Sequence, residues 1–239
     1  MRQVPPYLVI GSGRVARHFQ CYLSYLGLPF KLWSRQSSIQ DLVALSETCS
    51  PLLLLISDQA IAKFVDTHPF LKKKKLVHFS GCLSLPDIPS AHPLMCFTSE
   101  IYTLQTYQAI PFIISESGPD FSELLPGLSN QAYRISEHLR PYYHALCVLG
   151  GNFTALLWQK CFKEFENRFQ LPRQILHPYL QQAMQNLLSD SEQALTGPLV
   201  RHDQTTLEAN LQALKNDAFQ KVYQAFVEAY QTQPSFSSP

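Results

Sequence analysis

The stretch LVIGSGRVARHF, residues 8–19, decides the fold. Three apolar residues lead into Gly-Ser-Gly, and a helical pattern follows at once. Residues 11–16 fit G-x-G-x-x-G/A, in which the first glycine makes the turn and the second lets a diphosphate approach the backbone. An ordinary turn between a strand and a helix could contain the same residues, but the position of the motif directly after a strand favours a dinucleotide site. The predicted contacts lie where the helix opens: Gly11, Ser12, Gly13, Arg14 and Val15.

The end of the second predicted strand indicates which dinucleotide is bound. A site for NAD usually carries Asp or Glu about 20 residues after the turn, where the carboxylate holds the ribose hydroxyls. This chain has Ser34 and Arg35 there instead. A hydroxyl and a guanidinium would bind a 2′-phosphate, so the sequence predicts NADP(H). The alternative is a solvated arginine with no ligand.

The pattern around this turn predicts an α/β fold. Strands alternate with helices through residues 1–137, which is typical of a mostly parallel, Rossmann-like sheet covered on both faces. Helical periodicity replaces the alternation from residue 138, beginning with one long amphipathic helix over residues 141–169. We therefore predict a dinucleotide-binding domain at 1–137, an all-α domain at 138–231, and a disordered tail at 232–239. The predicted strands lie at residues 8–10, 30–33, 52–56, 76–79, 112–114 and 133–135.

Polar residues follow the third and fourth strands, where an open parallel sheet faces its ligand. Ser57 and Asp58 after the third strand, and Ser80 and Gly81 after the fourth, are predicted to contact the nicotinamide side of the cofactor. Ser80 is a candidate to bond a substrate oxygen, or alternatively a strand-end serine bonded to the backbone. His92 is the candidate acid or base, because an unperturbed histidine has a pKa near 6.5. Its alternative is a loop histidine that caps local backbone.

The predicted long helix carries two further candidates, His144 and Asn152. Eight residues at 100° each place them about 80° apart around the helix, so both could face one cleft. Gly150 and Gly151 lie beside Asn152 and each costs helix stability, about 1 kcal/mol relative to alanine. Close approach by a cofactor or a neighbouring helix would explain them. Asn152 could equally be a buried hydrogen-bonding residue between helices.

Composition excludes several classes of function. The net charge of +1 gives no field that would favour nucleic acid or an anionic membrane. No apolar run approaches the roughly 20 residues that cross a bilayer. The six cysteines form no CxxC pair, so we expect reduced thiols in the cytoplasm rather than disulfides or zinc, and no metal site.

Four stretches carry a family resemblance: HFSGCLSL from residue 78, AHPLMCF from 91, YYHALCVLGGNF from 142 and ALTGPLVRHD from 194. They resemble bacterial Rossmann-like proteins that pair an NADP-binding domain with a C-terminal helical domain of unknown function. Those proteins are similar in layout to pyrroline-5-carboxylate reductase, prephenate dehydrogenase and the 6-phosphogluconate dehydrogenase group. The resemblance implies an oxidoreductase-like architecture and a homodimer formed through the C-terminal helices.

The same resemblance also bears on individual residues. The His92-Pro93 dipeptide resembles one in prephenate dehydrogenases, whose histidine contacts substrate. Related hydroxyacid dehydrogenases use a lysine four residues before the asparagine. Val148 stands at that position here, which argues against the hydroxyacid reaction.

The leading hypothesis is an NADP(H)-dependent oxidoreductase acting on a small carbonyl, hydroxy or imine compound in an interdomain cleft. The alternative is a dinucleotide-binding sensor or scaffold without turnover. Arg201 and Asp203 follow a Gly-Pro break between helices. The sequence leaves open whether they bind a substrate or only stabilise the fold.

Overall fold

The computed structural model describes residues 5–232, which hold seven strands and ten α-helices. The strands are β1 (Tyr7–Ile10), β2 (Phe30–Trp33), β3 (Leu52–Leu54), β4 (Leu76–His78), β5 (Ala91–Pro93), β6 (Phe112–Ser115) and β7 (Ala132–Ile135). The helices are α1 (Arg14–Tyr25), α2 (Ile39–Thr48), α3 (Asp58–Thr67), α4 (Leu104–Ala109), α5 (Phe121–Leu124), α6 (Arg140–Cys147), α7 (Thr154–Asn167), α8 (His177–Ser189), α9 (Gln204–Ala213) and α10 (Gln220–Thr232).

The strands form two hydrogen-bonded sheets that are mostly parallel. The first has the order β2-β1-β3-β4, and all of its strands run in the same direction. In the second, β6 pairs parallel with β7 and antiparallel with β5. A single parallel bridge between His78 and Ser90 connects β4 to the start of β5. The predicted α/β, mostly parallel, Rossmann-like sheet is therefore confirmed.

Side chains of β1 alternate between two cores, which explains why the whole strand is apolar. Tyr7 and Val9 pack on the side of α1, α4 and α5. Leu8 and Ile10 pack on the side of α2 and α3. All four are fully buried, and burial of each such side chain stabilises the fold by roughly 1.5–3 kcal/mol. Both faces of the sheet are thus covered by helices, as the sequence predicts.

The C-terminal part of the described chain is helical, as predicted. The single helix expected over residues 141–169 is observed as α6 and α7 joined by a π-helical segment at Val148–Phe153. Gly150 and Gly151 lie inside that segment, and glycine permits the departure from α-helical geometry at low steric cost.

Packing divides the chain at Leu157, giving one compact unit before it and another from Trp158 onward. The predicted boundary near residue 138 marks the change from strands to helices and stays a prediction. Thr232 closes α10, and the rest of the expected disordered tail, 233–239, lies outside the described residues. No helix within residues 5–232 is both long enough and apolar enough to cross a membrane.

Candidate functional site

A cavity of about 870 Å³ lies at the carboxyl ends of β3 and β4, within the first compact unit. It collects most of the side chains that the sequence singles out. The lining residues predicted to bind the cofactor are Gly13, Arg14, Val15, Ser57 and Asp58. The lining residues predicted to act on substrate are Ser80, His92, His144 and Asn152.

The glycine turn has the geometry that the motif requires. Gly11 adopts φ +134°, and a methyl group placed on it would lie 2.2 Å from the carbonyl oxygen of Leu55. Only glycine fits there, because the turn runs against the backbone that follows β3. A methyl group on Gly13 would meet no atom within 4 Å, so the cavity has open space at this position. Ala16 is fully buried, as close packing of α1 on the sheet requires.

The amino terminus of α1 has free hydrogen-bonding capacity. Its N-cap is Gly13, so no side chain bonds the first turn. The opening N–H groups therefore lack the partner that a Ser or Asp cap would supply. Gly11 and Ser12 shape the turn just outside the cavity lining, whereas Arg14 and Val15 lie on it.

Ser34 and Arg35 lie beside the turn but outside the cavity lining. They follow β2, and the Gly11 N–H donates to the Trp33 carbonyl at 2.9 Å, which ties this corner to the glycine turn. The side chain of Arg35 is exposed, and no carboxylate among residues 5–232 pairs with it.

The hydrogen bonds of Ser80 tie it to groups of the protein. Its Oγ donates to Asp58 Oδ2 at 2.5 Å and accepts from the N–H groups of Cys82 and Leu83 at 3.2 and 3.0 Å. A hydroxyl has one donor and two lone pairs, so this set fills its capacity. The contact with Asp58 holds that carboxylate at the cavity wall. A direct role for Ser80 toward a substrate stays a prediction.

Two histidines of the cavity lining pack against Gly81. A methyl group on Gly81 would lie 2.7 Å from His144 Cδ2 and 3.0 Å from His92 Nε2. The two imidazole rings are nearly perpendicular, with centroids 6.0 Å apart. Nδ1 of His92 lies 2.7 Å from the hydroxyl oxygen of Tyr143.

The surroundings of His92 keep its ring neutral. Burial, the neighbouring His144 and the charge of Arg140 together lower the pKa of His92 to about 4. Arg140 is fully buried, with its Nε 3.0 Å from Glu137 Oε2 and its Nη1 donating to Ser90 Oγ at 3.1 Å. The expected pKa near 6.5 is therefore replaced by a lower one. At neutral pH the ring offers one N–H donor and one nitrogen acceptor instead of a cation.

The π-helical segment brings Asn152 to the cavity. Asn152 is exposed, so it is not a buried hydrogen-bonding residue between helices of this chain. A methyl group on Gly151 would lie 3.1 Å from Cys96 Sγ, whereas one on Gly150 would meet no atom within 4 Å. Gly151 thus allows a close approach by the Cys96 loop, and Gly150 leaves room at the cavity wall. Such π-helical turns often occur at functional sites.

The motif around residue 201 contributes a helix cap. Asp203 is the N-cap of α9, and its Oδ1 accepts from the Thr206 N–H at 3.1 Å. Its contacts are therefore those of a structural residue. Among residues 5–232, no group of three His, Cys, Asp or Glu side chains could hold a metal ion.

Sequence reasoning missed Tyr143 and Arg140, and it did not predict how Gly81 packs. Gly81 sits inside HFSGCLSL, but its role depends on two histidines that fold back onto it from positions 92 and 144. Tyr143 has Tyr142 beside it, and nothing in the sequence distinguishes the contacts of the two. Arg140 precedes a proline at a helix start, where an exposed cation is the ordinary expectation.

Comparison with known proteins places this geometry on a known fold. Residues 116–230 match a family model described as a domain of unknown function (DUF2520). A search of curated proteins gave no match. A candidate NADP oxidoreductase from Bacteroides fragilis is 18% identical with a TM-score of 0.76, and the match covers 97% of this chain and 99% of that one.

Two further solved structures are similar. A protein from Thermotoga maritima is 23% identical with a TM-score of 0.67, covering 94% of this chain and 96% of that one. An imine reductase from Streptomyces aurantiacus is 12% identical with a TM-score of 0.63, covering 97% and 96%. These matches confirm the predicted resemblance: the chain has a Rossmann-like fold followed by a helical C-terminal region, and that region matches the domain of unknown function.

Proposed function

We propose that this protein is an NADP(H)-dependent oxidoreductase for a small carbonyl, hydroxy or imine substrate. The observation that carries the proposal is the cavity, which holds an uncapped helix N-terminus together with His92, His144 and Asn152. Related folds belong to a candidate NADP oxidoreductase and an imine reductase, which supports the same reading.

The residues at the turn fit a dinucleotide. Gly11 lets the turn lie against Leu55, and the open space at Gly13 admits a diphosphate beside the first N–H groups of α1. Arg14 adds a positive charge on the cavity wall. Arg35, which has no carboxylate partner within residues 5–232, supports recognition of a 2′-phosphate beside Ser34.

A bound dihydronicotinamide would supply a hydride to the substrate carbon. The chain's own residues then have distinct tasks. Asp58, held by Ser80, is placed to accept from a carboxamide N–H or a substrate donor. Neutral His92 is the acid–base candidate, and it polarises the substrate heteroatom by hydrogen bonding. His144 of α6 and Asn152 of the π-helical segment orient the substrate.

We also infer that the chain forms a homodimer through its C-terminal helices. In the described chain, α7, α8 and α10 bury no side chain. Large apolar side chains on them are exposed, including Leu156, Leu188 and Phe226 at 49%, 82% and 51%. A helix with an uncovered apolar face is stabilised when another surface covers it. Light scattering tests this inference, and a monomer at micromolar concentration would refute it.

The six cysteines are free thiols, which agrees with the proposed cytoplasmic location.

The identity of the cofactor is tested by calorimetric titration with NADPH and NADH. We expect tighter binding of NADPH, and Arg35→Ala should weaken NADPH binding about tenfold while leaving NADH unchanged. Arg17→Ala, which removes another exposed arginine outside the cavity lining, is the matched control.

Turnover is tested by following NADPH absorbance with a panel of small imines, ketones and aldehydes. The alternative function, a dinucleotide sensor or scaffold, would bind NADPH with no turnover of any compound. Loss of turnover in His92→Asn with unchanged NADPH affinity would support the enzyme. Failure of both coenzymes to bind would reject both functions.

A further inference from the structure

We propose that the Tyr143 hydroxyl donates its hydrogen to His92 Nδ1, so that His92 presents Nε2–H to a bound substrate. Tyr143 is then a positioning residue that selects one of the two neutral forms of the histidine. The form of the ring follows from its contacts and its neutrality, and its role in turnover rests on the proposed function.

The contact is built by two distant elements. His92 lies in β5 and Tyr143 in α6, 51 residues later. The oxygen and Nδ1 are 2.7 Å apart, and the rings meet edge to face at 81° with centroids 5.6 Å apart. The distance is that of a hydrogen bond, which either the phenol O–H or an Nδ1–H could donate.

The surroundings of Tyr143 identify the donor. Burial raises the pKa of Tyr143, and the nearby Cys147 thiol raises it further, so the phenol keeps its hydrogen. Among the described residues the Tyr143 hydroxyl has no hydrogen-bond partner besides His92 Nδ1. If the ring donated from Nδ1, the phenol hydrogen would have no acceptor in the protein. The phenol therefore donates to the ring.

The His92 ring is packed on two further sides. On its other side His92 lies against Gly81, where even a methyl group would come within 3.0 Å of Nε2 and 3.1 Å of Cδ2. His144 closes the third side. Since the ring is neutral, it carries one N–H, and with Nδ1 accepting, that N–H is Nε2.

The arrangement determines what His92 can bind. An Nε2–H group donates to an acceptor such as a carbonyl oxygen or a neutral imine nitrogen, whereas a base toward an alcohol would need a bare Nε2. His92 then acts on the acid side of the acid–base role given above. Of the three substrate classes in the proposed function, the arrangement favours the carbonyl or imine compound, which is the form that receives a hydride.

The test is ¹⁵N NMR of the histidine ring nitrogens at pH 7, on the full chain, with His92→Asn to assign the signals. We expect Nε2 to be protonated and Nδ1 bare in the wild type. In Tyr143→Phe the two shifts should move toward each other as both neutral forms become populated. Tyr142→Phe removes the adjacent, 67% exposed phenol and should leave them unchanged.

A bare Nε2 or a cationic ring in the wild type would overturn the proposal, whether or not Tyr143→Phe folds. So would unchanged His92 shifts in a folded Tyr143→Phe protein. With any compound reduced in the panel above, Tyr143→Phe should lower kcat roughly 10- to 100-fold and leave NADPH affinity unchanged. An unchanged kcat would refute the positioning role, whereas absence of all turnover would count against the proposed function and leave the NMR result decisive for the ring.

Discussion

The two ends of the cavity are built by different means. At the α1 end, the backbone makes the site: Gly11 lies against the Leu55 carbonyl, and N–H groups face the open space at Gly13. At the histidine end, side chains make the site, and Gly81 is the small residue that lets them meet. Six consecutive residues specify the backbone site at the glycine turn. The side-chain site instead needs three separate segments, which carry Gly81, His92 and His144, to be brought together by the fold.

The substitution expected to disrupt the α1 end of the cavity most is Gly11→Ala. The new methyl group would lie 2.2 Å from a backbone oxygen, at a φ that L-residues rarely adopt. Strain and overlap together should lower the free energy of unfolding by about 4 kcal/mol and abolish NADPH binding. Urea denaturation and calorimetry measure the two effects.

Gly13→Ala is the matched control for that variant, because its methyl group meets no atom within 4 Å. It should cost less than about 1 kcal/mol of stability, the usual range for a helix N-cap, while filling space meant for a diphosphate. A Gly11→Ala protein as stable as Gly13→Ala would show that the close approach at Leu55 is wrong.

The buried histidines should make the free energy of unfolding depend on pH. Burial lowers the pKa of both His78 and His92 to about 4, whereas unfolded histidines titrate near 6.5. The unfolded chain therefore binds more protons between these values. The full stability is present above pH 6.5 and declines as pH falls toward 4, by up to about 1.4 kcal/mol per pH unit for each histidine.

Measurement of unfolding between pH 7 and 5 keeps carboxylate titration small. Over this window we expect fully buried His78 to contribute a loss of about 2 kcal/mol, because the unfolded chain gains a proton below about pH 6.5. His92→Asn should remove the share of the slope that belongs to His92. Equal stability at pH 7 and pH 5 would contradict the lowered pKa values.

A smaller effect is expected from Gly81→Ala, which sharpens the contrast with Gly11. The methyl group would meet imidazole atoms at 2.7 and 3.0 Å, and side chains can shift where a backbone oxygen cannot. Stability should fall by about 1–2 kcal/mol. NADPH affinity should stay unchanged while any turnover falls, because only the histidines move. A loss of NADPH affinity as large as that of Gly11→Ala would remove the distinction between the two ends.

The sequence predicts the α1 end well because its requirements are local. The turn conformation, the small Ala16 and the apolar strand all follow from residues 8–19. The same holds for the parallel sheet, since fully apolar strands alternate with amphipathic helices. The candidate polar residues also meet in one cavity, because the carboxyl ends of parallel strands share an edge.

The histidine end is less predictable because its chemistry depends on contacts between distant segments. The lowered pKa of His92 arises from burial, His144 and Arg140, none of which is visible from the sequence around His92. The closed hydrogen-bond set of Ser80 depends on Asp58, 22 residues earlier. Tyr143 becomes distinct from Tyr142 only when β5 lies beside α6.

The π-helical turn at Val148–Phe153 has a consequence for how this chain tolerates changes in length. Such a turn holds one residue more than an α-helical turn, so loss of one glycine would return the segment to ordinary geometry without interrupting the helix. Because the π-helical turn takes up its extra residue within the turn, the residues of α7 would keep their positions around the helix axis after such a deletion. The same deletion inside α6 or α7 would instead rotate every later residue by about 100°. The π-helical segment is therefore the place where this helix can lose one residue and still present the same stripe of side chains.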